Sequence, residues 1–229
     1  ANAQPLEEAI KNVDVSGSVV YRYNNYDDNG TNPKGDQTEN NNYKIGLNLS
    51  SKVNDYVKFN SRFIVGGDDG GFTQLDSKKD TADGDGGADV TLTNAYFGFT
   101  AIPNTVVNIG KQGLTTPYTV AVDINGNEQT GTGILALSTF GPITAGAGYF
   151  NATNLDDSGN GASTQGVTVN HRAAIKNGND MYVATVQGDL DFVKLEAWYA
   201  GLQETFNSYT LAATSTIDLA ENAKIGLEA

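Results

Sequence analysis

The sequence predicts an all-β chain, folded as a transmembrane antiparallel β-barrel, and three observations carry that prediction. Segments of about ten residues alternate apolar and polar side chains, as do strands with lipid on one side and a wet lumen on the other. Short turns alternate with long polar loops, and tyrosines gather at the ends of the apolar faces. No apolar run approaches the roughly 20 residues of a helical membrane span, so we expect strands to cross the membrane.

Residues 13–23 show the strand pattern most clearly. Valines and tyrosines fall on one face, while Asp14, Arg22 and two serines fall on the other, because successive side chains of a strand point to opposite sides. A soluble sandwich would turn the apolar face inward, but tyrosines at its end favour a face in contact with lipid. After this strand we predict an exposed loop over residues 24–42, which are rich in Asn, Asp and Gly.

Ten further strands bring the predicted count to about 11. They are predicted at residues 43–51, 56–65, 90–101, 105–112, 132–139, 143–151, 180–188, 191–202, 209–218 and 222–229. Long loops are predicted at residues 66–89, 113–131 and 153–179. The alternation is less regular from residue 90 to residue 139, so it does not decide which side of those strands faces inward.

The strand count bears on whether the chain contains a complete barrel. Closed single-chain bacterial barrels have an even number of strands, and the last segment, residues 224–229, stops in mid-alternation. We therefore expect the chain to be the N-terminal portion of a longer barrel, with a complete barrel of about twelve strands as the alternative. No shift in composition divides residues 1–229, which we interpret as a single domain.

Composition and charge exclude several classes of function. The chain has 27 acidic and 14 basic residues, for a net charge of −13, which argues against nucleic acid as a partner and favours the attraction of cations. Cysteine is absent, which excludes disulfides and Cys-based metal sites. No secretory signal precedes residue 12, so we expect an exported chain whose signal peptide has been removed.

Catalytic chemistry has little support in the sequence. The only histidine, His171, lies in a predicted loop, whereas a serine hydrolase needs a base close to its serine. No glycine-rich phosphate loop or metalloprotease motif occurs. We therefore expect neither enzyme activity nor a required cofactor.

Two stretches identify a family. Residues 5–17, read PLEEAIKNVDVSG, together with Tyr21-Arg22-Tyr23, resemble the mature N-terminus of the major outer membrane porins of Campylobacter and its relatives. A supporting match is Gly110-Lys111-Gln112 followed by Gly131-Thr132-Gly133, between which the family carries an inward-folded loop.

The resemblance implies a homotrimeric barrel of about 16 to 18 strands in the bacterial outer membrane. Each monomer would be a water-filled pore with a mild preference for cations, narrowed by the third long loop. The partners implied are outer membrane lipid and lipopolysaccharide, further copies of the chain, and small hydrophilic solutes and cations.

Charged side chains on the polar strand faces are the first candidates for a functional site. If these faces line the lumen, charge along the wall tunes ion selectivity; the alternative is that the side chains are merely solvated. Arg22, Lys44 and Arg62 belong to the first three strands and are expected to form a basic patch on one wall. The predicted pore-lining residues of the strands are Arg22, Lys44, Lys58, Arg62, Lys194 and Glu196.

The loop of residues 113–131 is the second candidate, and Tyr118, Asp123 and Glu128 are its predicted pore-lining residues. As the third long loop it corresponds to the inward-folded loop of the family; an ordinary external loop is the alternative. Acidic groups facing a basic wall would set up a transverse field and draw in cations.

The same loop offers ligands for calcium. Residues 123–128 present hard oxygen donors at alternate positions, although the EF-hand pattern fails because Glu128 stands at position 6, where the motif has glycine. We expect Asp123 to be the principal ligand of a calcium ion in the constriction, assisted by Asn151 or Glu128.

Three functions remain open at this point. The leading one is a weakly cation-selective porin for passive diffusion of ions and small hydrophilic solutes. The second is a β-rich surface adhesin that acts through its long acidic loops. The third, a substrate-specific channel, calls for aromatic residues lined up inside, of which the sequence offers only Trp198.

Overall fold

The chain forms an antiparallel meander of twelve strands in a computed structural model, which describes residues 12–27, 37–67, 70–75, 88–122, 128–155, 180–220 and 223–229. The strands are β1 (Val13–Asp27), β2 (Gln37–Lys52), β3 (Val57–Gly66), β4 (Thr73–Gln74), β5 (Asp89–Phe99), β6 (Thr105–Gly113), β7 (Thr130–Phe140), β8 (Ile143–Thr153), β9 (Met181–Leu190), β10 (Val193–Leu202), β11 (Phe206–Ala220) and β12 (Ala223–Glu228). Within these ranges, no helix is long and apolar enough to span a membrane.

Apart from the short β4, strands that are adjacent in the sheet follow one another in the chain. The order is β1-β2-β3-β5-β6-β7-β8-β9-β10-β11-β12, and the short β4 pairs with β2. Every pairing is antiparallel, as expected when short turns join successive strands. The eleven predicted strands are all present, which confirms the all-β antiparallel prediction, and β4 is the one addition within the described residues. The sheet path is open there, since β1 and β12 do not pair with each other.

The register separates an apolar face from a polar face. Directly opposite residues of an antiparallel pair share a face. Leu47 lies opposite Phe63 on the apolar face, and Asn48 lies opposite Arg62 on the other, which we call the polar face. Side chains of the apolar face are open to the surroundings, as the 75% exposure of Val19 illustrates.

The first hairpin is longer than predicted. The loop expected over residues 24–42 is wrong at both ends, because β1 continues to Asp27 and β2 begins at Gln37, with Asn24 opposite Asn40. The polar side chains of these residues suggested a loop. The hydrogen bonds that pair two strands join backbone groups, however, and do not depend on the polarity of the side chains. Strand propensity is weak enough for an established register to override it.

A β-bulge explains the irregular alternation after residue 90. Leu92 lies opposite Phe63 and Phe97 opposite Phe59, so the apolar face passes from even to odd positions along β5. The change occurs at Thr93, the extra residue in β5 where the register shifts. A bulge inserts one unpaired residue and thereby exchanges the faces of all residues beyond it.

Aromatic side chains mark both ends of the apolar face. Tyrosines lie toward the long loops, at positions 21, 23, 43, 149, 182, 199 and 209, and phenylalanines lie toward the short turns, at positions 59, 97, 99 and 140. Some of them contact each other, since ring centroids are 5.3 Å apart for Tyr149 and Tyr182 and 5.0 Å apart for Phe59 and Phe97. Two such girdles bound the lipid-facing band of outer-membrane barrels.

Candidate pore wall and constriction loop

Arg62 of β3 binds Glu128, which lies just before β7. Its Nε donates to Glu128 Oε1 at 2.6 Å, and its Nη1 donates to Asn48 Oδ1 at 2.8 Å. Gly46 makes room for the guanidinium, because a Cβ at that position would lie 2.6 Å from Arg62 Nη2. The predicted basic wall and acidic loop therefore meet here as a direct ion pair, in which the two charges compensate each other.

Two other predicted basic residues lie beneath an aromatic ring. The centroid of Phe72 is 3.9 Å from Arg22 Cζ and 6.0 Å from Lys44 Nζ, which is the geometry of cation–π contact. Lys44 is only 9% exposed. Both basic residues lie on the polar face, as predicted, but beside a ring that the sequence analysis did not consider.

Residues 70–75, which contain Phe72, fold back over the polar face. Thr73 of β4 lies opposite Tyr43 of β2. Gly70 has φ of +77°, which glycine adopts without strain, and its position lies against Ile64, which is fully buried. This part of the loop predicted at residues 66–89 is thus attached to the wall.

Lys58 lies near a short turn. It is opposite Lys52, whose Nζ donates to Asp55 Oδ1 at 2.7 Å. The hydrogen bond from Lys52 and its positive charge hold the pKa of the Asp55 carboxyl below its ordinary value. The turn carboxylate therefore offsets part of the charge that the two lysines bring together.

Lys194 and Glu196 of β10 also form an ion pair. Lys194 Nζ lies 2.8 Å from Glu196 Oε1, and Trp198 Nε1 donates to Glu196 Oε2 at 3.2 Å. The three residues alternate along the strand and so share the polar face. Two predicted pore-lining charges are again partners of each other.

We call the connection from β6 to β7, residues 114–129, the inward loop; its described residues, 114–122 and 128–129, pack against the polar face. Its two limbs are tied together by Gln129, which is 5% exposed. Val120 N donates to the side-chain oxygen of Gln129 at 2.6 Å, and Leu114 N donates to its backbone oxygen at 3.0 Å. Thr119 Oγ1 donates to Leu114 O at 2.9 Å. These bonds hold the described parts of the loop in a defined shape.

The first limb of the inward loop reaches β11. Thr210 Oγ1 donates to the hydroxyl of Tyr118 at 2.8 Å, and Tyr118 is 8% exposed. Leu114 anchors the limb in an apolar cluster on the polar face. The cluster consists of Leu114, Tyr118, Phe150, Leu155, Met181, Val183, Ala200 and Leu202. Contacts to β3 through Glu128 and to β11 through Tyr118 show that the inward loop crosses the face.

Asn154 fixes the second limb. Its Nδ2 donates to Glu128 O at 2.7 Å, and its Oδ1 accepts from Thr130 N at 2.7 Å. The predicted ligand Asn151 is exposed in β8 and is left without a pairing partner where the register shifts opposite Thr132. Asp123 lies outside the described residues. Among those that are described, no group of three or more acidic or histidine side chains is placed to hold a metal ion.

Sequence reasoning missed four residues that shape this site. Phe72, Gln129 and Asn154 act through contacts across long separations in the chain, which periodicity does not reveal. Gly46 resembles any other small residue of a strand until Arg62 is placed over it. A signal was present at Phe72, since an aromatic residue after Gly70-Gly71 is unusual in a loop otherwise rich in Asp.

Comparison with known proteins decides the family. Residues 1–229 match the family of the Campylobacter major outer membrane protein. The chain belongs to that family. The match confirms the resemblance seen in residues 5–17, and it places the chain in the outer membrane, as predicted. No match was found among curated proteins.

Solved outer-membrane porins share the fold. OpdK from Pseudomonas aeruginosa is 12% identical, with a TM-score of 0.65 over 94% of this chain and 54% of that protein. OccK2 from the same organism, in complex with glucuronate, is 15% identical, with a TM-score of 0.65 over 95% and 54%. A BenF-like porin from Pseudomonas fluorescens is 16% identical, with a TM-score of 0.65 over 95% and 56%.

These likenesses confirm the β-barrel prediction. The chain spans about half the length of the solved porins that it matches. The full count of about 16 to 18 strands stays a prediction.

Proposed function

We propose that the protein is a porin, with a water-filled pore that lets ions and small hydrophilic solutes diffuse passively and that weakly prefers cations. The observation that carries the proposal is the path of the inward loop across the polar face, where its Tyr118 accepts from Thr210 of β11 and its Glu128 accepts from Arg62 of β3. A loop fixed inside a barrel narrows the lumen and sets a size limit.

The apolar face supports a membrane protein over a soluble adhesin. A soluble β-rich protein buries the apolar side of its strands. Here Val15, Val19, Tyr209 and Leu211 are 63, 75, 76 and 81% exposed. An apolar face this open suits lipid.

Charge compensation supports the preference for cations. Arg62 is paired with Glu128, Lys194 is paired with Glu196, and Arg22 lies against Phe72. The charges of Arg62 and Lys194 are therefore compensated locally, while the chain as a whole carries a net charge of −13. The remaining field attracts cations and repels anions.

The direct test is current through the intact protein in a planar bilayer under a KCl gradient. We expect stable stepwise conductance and a reversal potential displaced toward the value for a cation-selective pore. Insertion without conductance, or solubility without detergent, would instead favour the adhesin. A reversal potential on the anion side would overturn only the selectivity.

We also propose a homotrimer embedded in outer membrane lipid and lipopolysaccharide. The exposed apolar face of β1, with Val15, Val19 and Tyr21, fits a neighbouring monomer or lipid equally well. The mass of the detergent-solubilised complex, corrected for bound detergent, distinguishes a trimer from a monomer.

Calcium in the constriction remains part of the proposal. Asp123 supplies the hard oxygen ligand that calcium prefers, and Asn151 is the proposed helper. Glu128 is the weaker candidate, because its carboxylate already accepts from Arg62. Isothermal titration of the folded protein is expected to show calcium binding that Asp123→Asn weakens, and an absence of heat with the wild-type protein would exclude the site.

A further inference from the structure

A cavity of about 270 Å³ lies between the start of the inward loop and the wall formed by β7 to β10. Its lining is mostly apolar. The residues that matter here are Leu114, Leu135, Leu137, Val183, Thr185 and Trp198.

An apolar wall is unexpected on the polar face of a barrel, where water normally fills the lumen. Part of it is explained by the inward loop, because its Leu114 belongs to the same buried cluster as Phe150 and Val183. The cavity is the part of the apolar wall that the loop leaves unfilled. Gly146 helps to keep it open, since a Cβ there would lie 2.4 Å from Leu137 Cδ2.

Polar groups stand at one side of this cavity. Gln187 lines it and lies opposite both Thr144 and Glu196 in the sheet. Glu196 pairs with Lys194 and accepts from the indole of Trp198. An apolar recess therefore adjoins hydrogen-bonding groups and a pair of opposite charges.

We propose that this recess binds the aromatic ring of small zwitterionic solutes as they pass the inward loop. The ring removes its apolar surface from water against Leu137, Val183 and the indole of Trp198. The solute's ammonium and carboxylate meet Glu196 and Lys194, whose opposite charges complement them. The inference rests on the proposed pore and adds to it a preference among permeating solutes.

The dimensions suit a single ring. Small-molecule sites bury most of the ligand in apolar concave surface and use a few polar groups to orient it. At about 270 Å³ the recess is slightly smaller than their usual size range of about 300 to 1,000 Å³, so it admits a phenyl group but not a large fused-ring solute. Partial burial of that ring corresponds to roughly tenfold tighter binding than a solute with the same charges and no ring.

The test compares L-phenylalanine with L-alanine, which has the same charged groups without a ring. Each is added at millimolar concentration to single channels of the intact protein in KCl. We expect phenylalanine to produce transient current blockages at roughly a tenth of the concentration that alanine requires.

Two variants locate the effect. Thr185→Leu fills the recess and is expected to remove the advantage of phenylalanine, whereas Val186→Leu, one residue along on the apolar face, is the matched control and should retain it. If Thr185→Leu does not insert, Gly146→Ala serves instead, because both Gly146 and Leu137 line the recess and the added Cβ would lie 2.4 Å from Leu137 Cδ2, which changes the shape of the recess.

Each outcome decides between the two proposals. Equal blockage by the two amino acids would overturn the subsite, and so would an advantage of phenylalanine that survives filling of the recess. In either case KCl conductance of the wild-type protein would still support the proposed pore. Absence of KCl conductance in the wild-type protein overturns the pore itself.

Discussion

Replacing Arg62 by glutamine is expected to release Glu128 from the wall and to make the pore more cation-selective. The substitution removes the donor at 2.6 Å and leaves the carboxylate without its counter-charge beside the proposed permeation path. Glu128→Gln removes the other half of the pair and leaves the guanidinium, so its effect on selectivity is expected to have the opposite sign.

The size of the effect follows from the burial of the pair. The Arg62 and Glu128 side chains are 22 and 13% exposed, between a surface pair and a buried one. Two charges about 4 Å apart attract by about 4 kcal/mol at an effective dielectric constant of about 20, and desolvation offsets part of this. Exposed pairs contribute about 0 to 1 kcal/mol, and loss of one partner of a buried pair costs about 3 to 5 kcal/mol. We therefore expect Arg62→Gln to lower the free energy that holds the loop on the wall by about 2 kcal/mol. This corresponds to roughly a 30-fold rise in the population of detached loop.

The assay is single-channel recording of the intact protein under a KCl gradient. Arg62→Gln should move the reversal potential further toward the cation limit and add a second, noisier conductance level from the detached loop. Glu128→Gln should move the reversal potential toward the anion side. The double variant should return close to the wild-type selectivity while keeping the noise, because both charges are gone but the tether is still missing.

Lys52→Gln is the control, since it also removes one positive charge that pairs with a carboxylate. That pair lies at a turn, with side chains 59 and 83% exposed, so its loss should leave both readouts nearly unchanged. The reasoning fails if the two single variants of the Arg62 pair shift the reversal potential in the same direction, or if neither shifts it more than Lys52→Gln does.

Two further substitutions test how the wall holds the inward loop. Gly46→Ala should reproduce the noisy conductance of the Arg62 variant without any loss of charge, because its Cβ would meet the guanidinium at 2.6 Å; quiet wild-type currents would show that the arginine has room to move. Leu114→Ala empties a position that is 2% exposed and should destabilise the packed loop by about 2 to 4 kcal/mol, measured as faster proteolysis within residues 114–129. Resistance equal to that of wild type would mean that the hydrogen bonds of Gln129 suffice.

The strands and their faces could be predicted because alternation is a local property of the chain. Val15 and Val19 share a face through spacing alone, and an apolar face recurs from strand to strand along the sheet. The same spacing placed Arg62 and Lys44 on the opposite face. Outside the bulges, this local pattern was enough to identify the barrel fold.

The contacts within the candidate site could not be predicted in this way. Arg62 and Glu128 are 66 residues apart, and Thr210 and Tyr118 are 92 apart, so only the folded sheet brings them together. The bulge at Thr93 defeated strict alternation, since one added residue reverses the faces beyond it. Alternation assigned the charged residues of the strands to the polar face, where the register has them, but it did not reveal that they would be paired.

The two aromatic girdles differ in what it costs to move each of them across the membrane. Long loops lie outside the cell in outer-membrane barrels and short turns face the periplasm, so the tyrosine end is the leading end as the chain enters the membrane. Each phenol hydroxyl must cross hydrocarbon once, at a cost of about 1 to 3 kcal/mol if it crosses unpaired, before it reaches water and headgroups on the far side. Withdrawal would impose that cost on each tyrosine of the girdle again, whereas the phenylalanines at the trailing end carry no such group. Once the tyrosine hydroxyls have reached the far side, the girdle therefore opposes withdrawal of the barrel from the membrane.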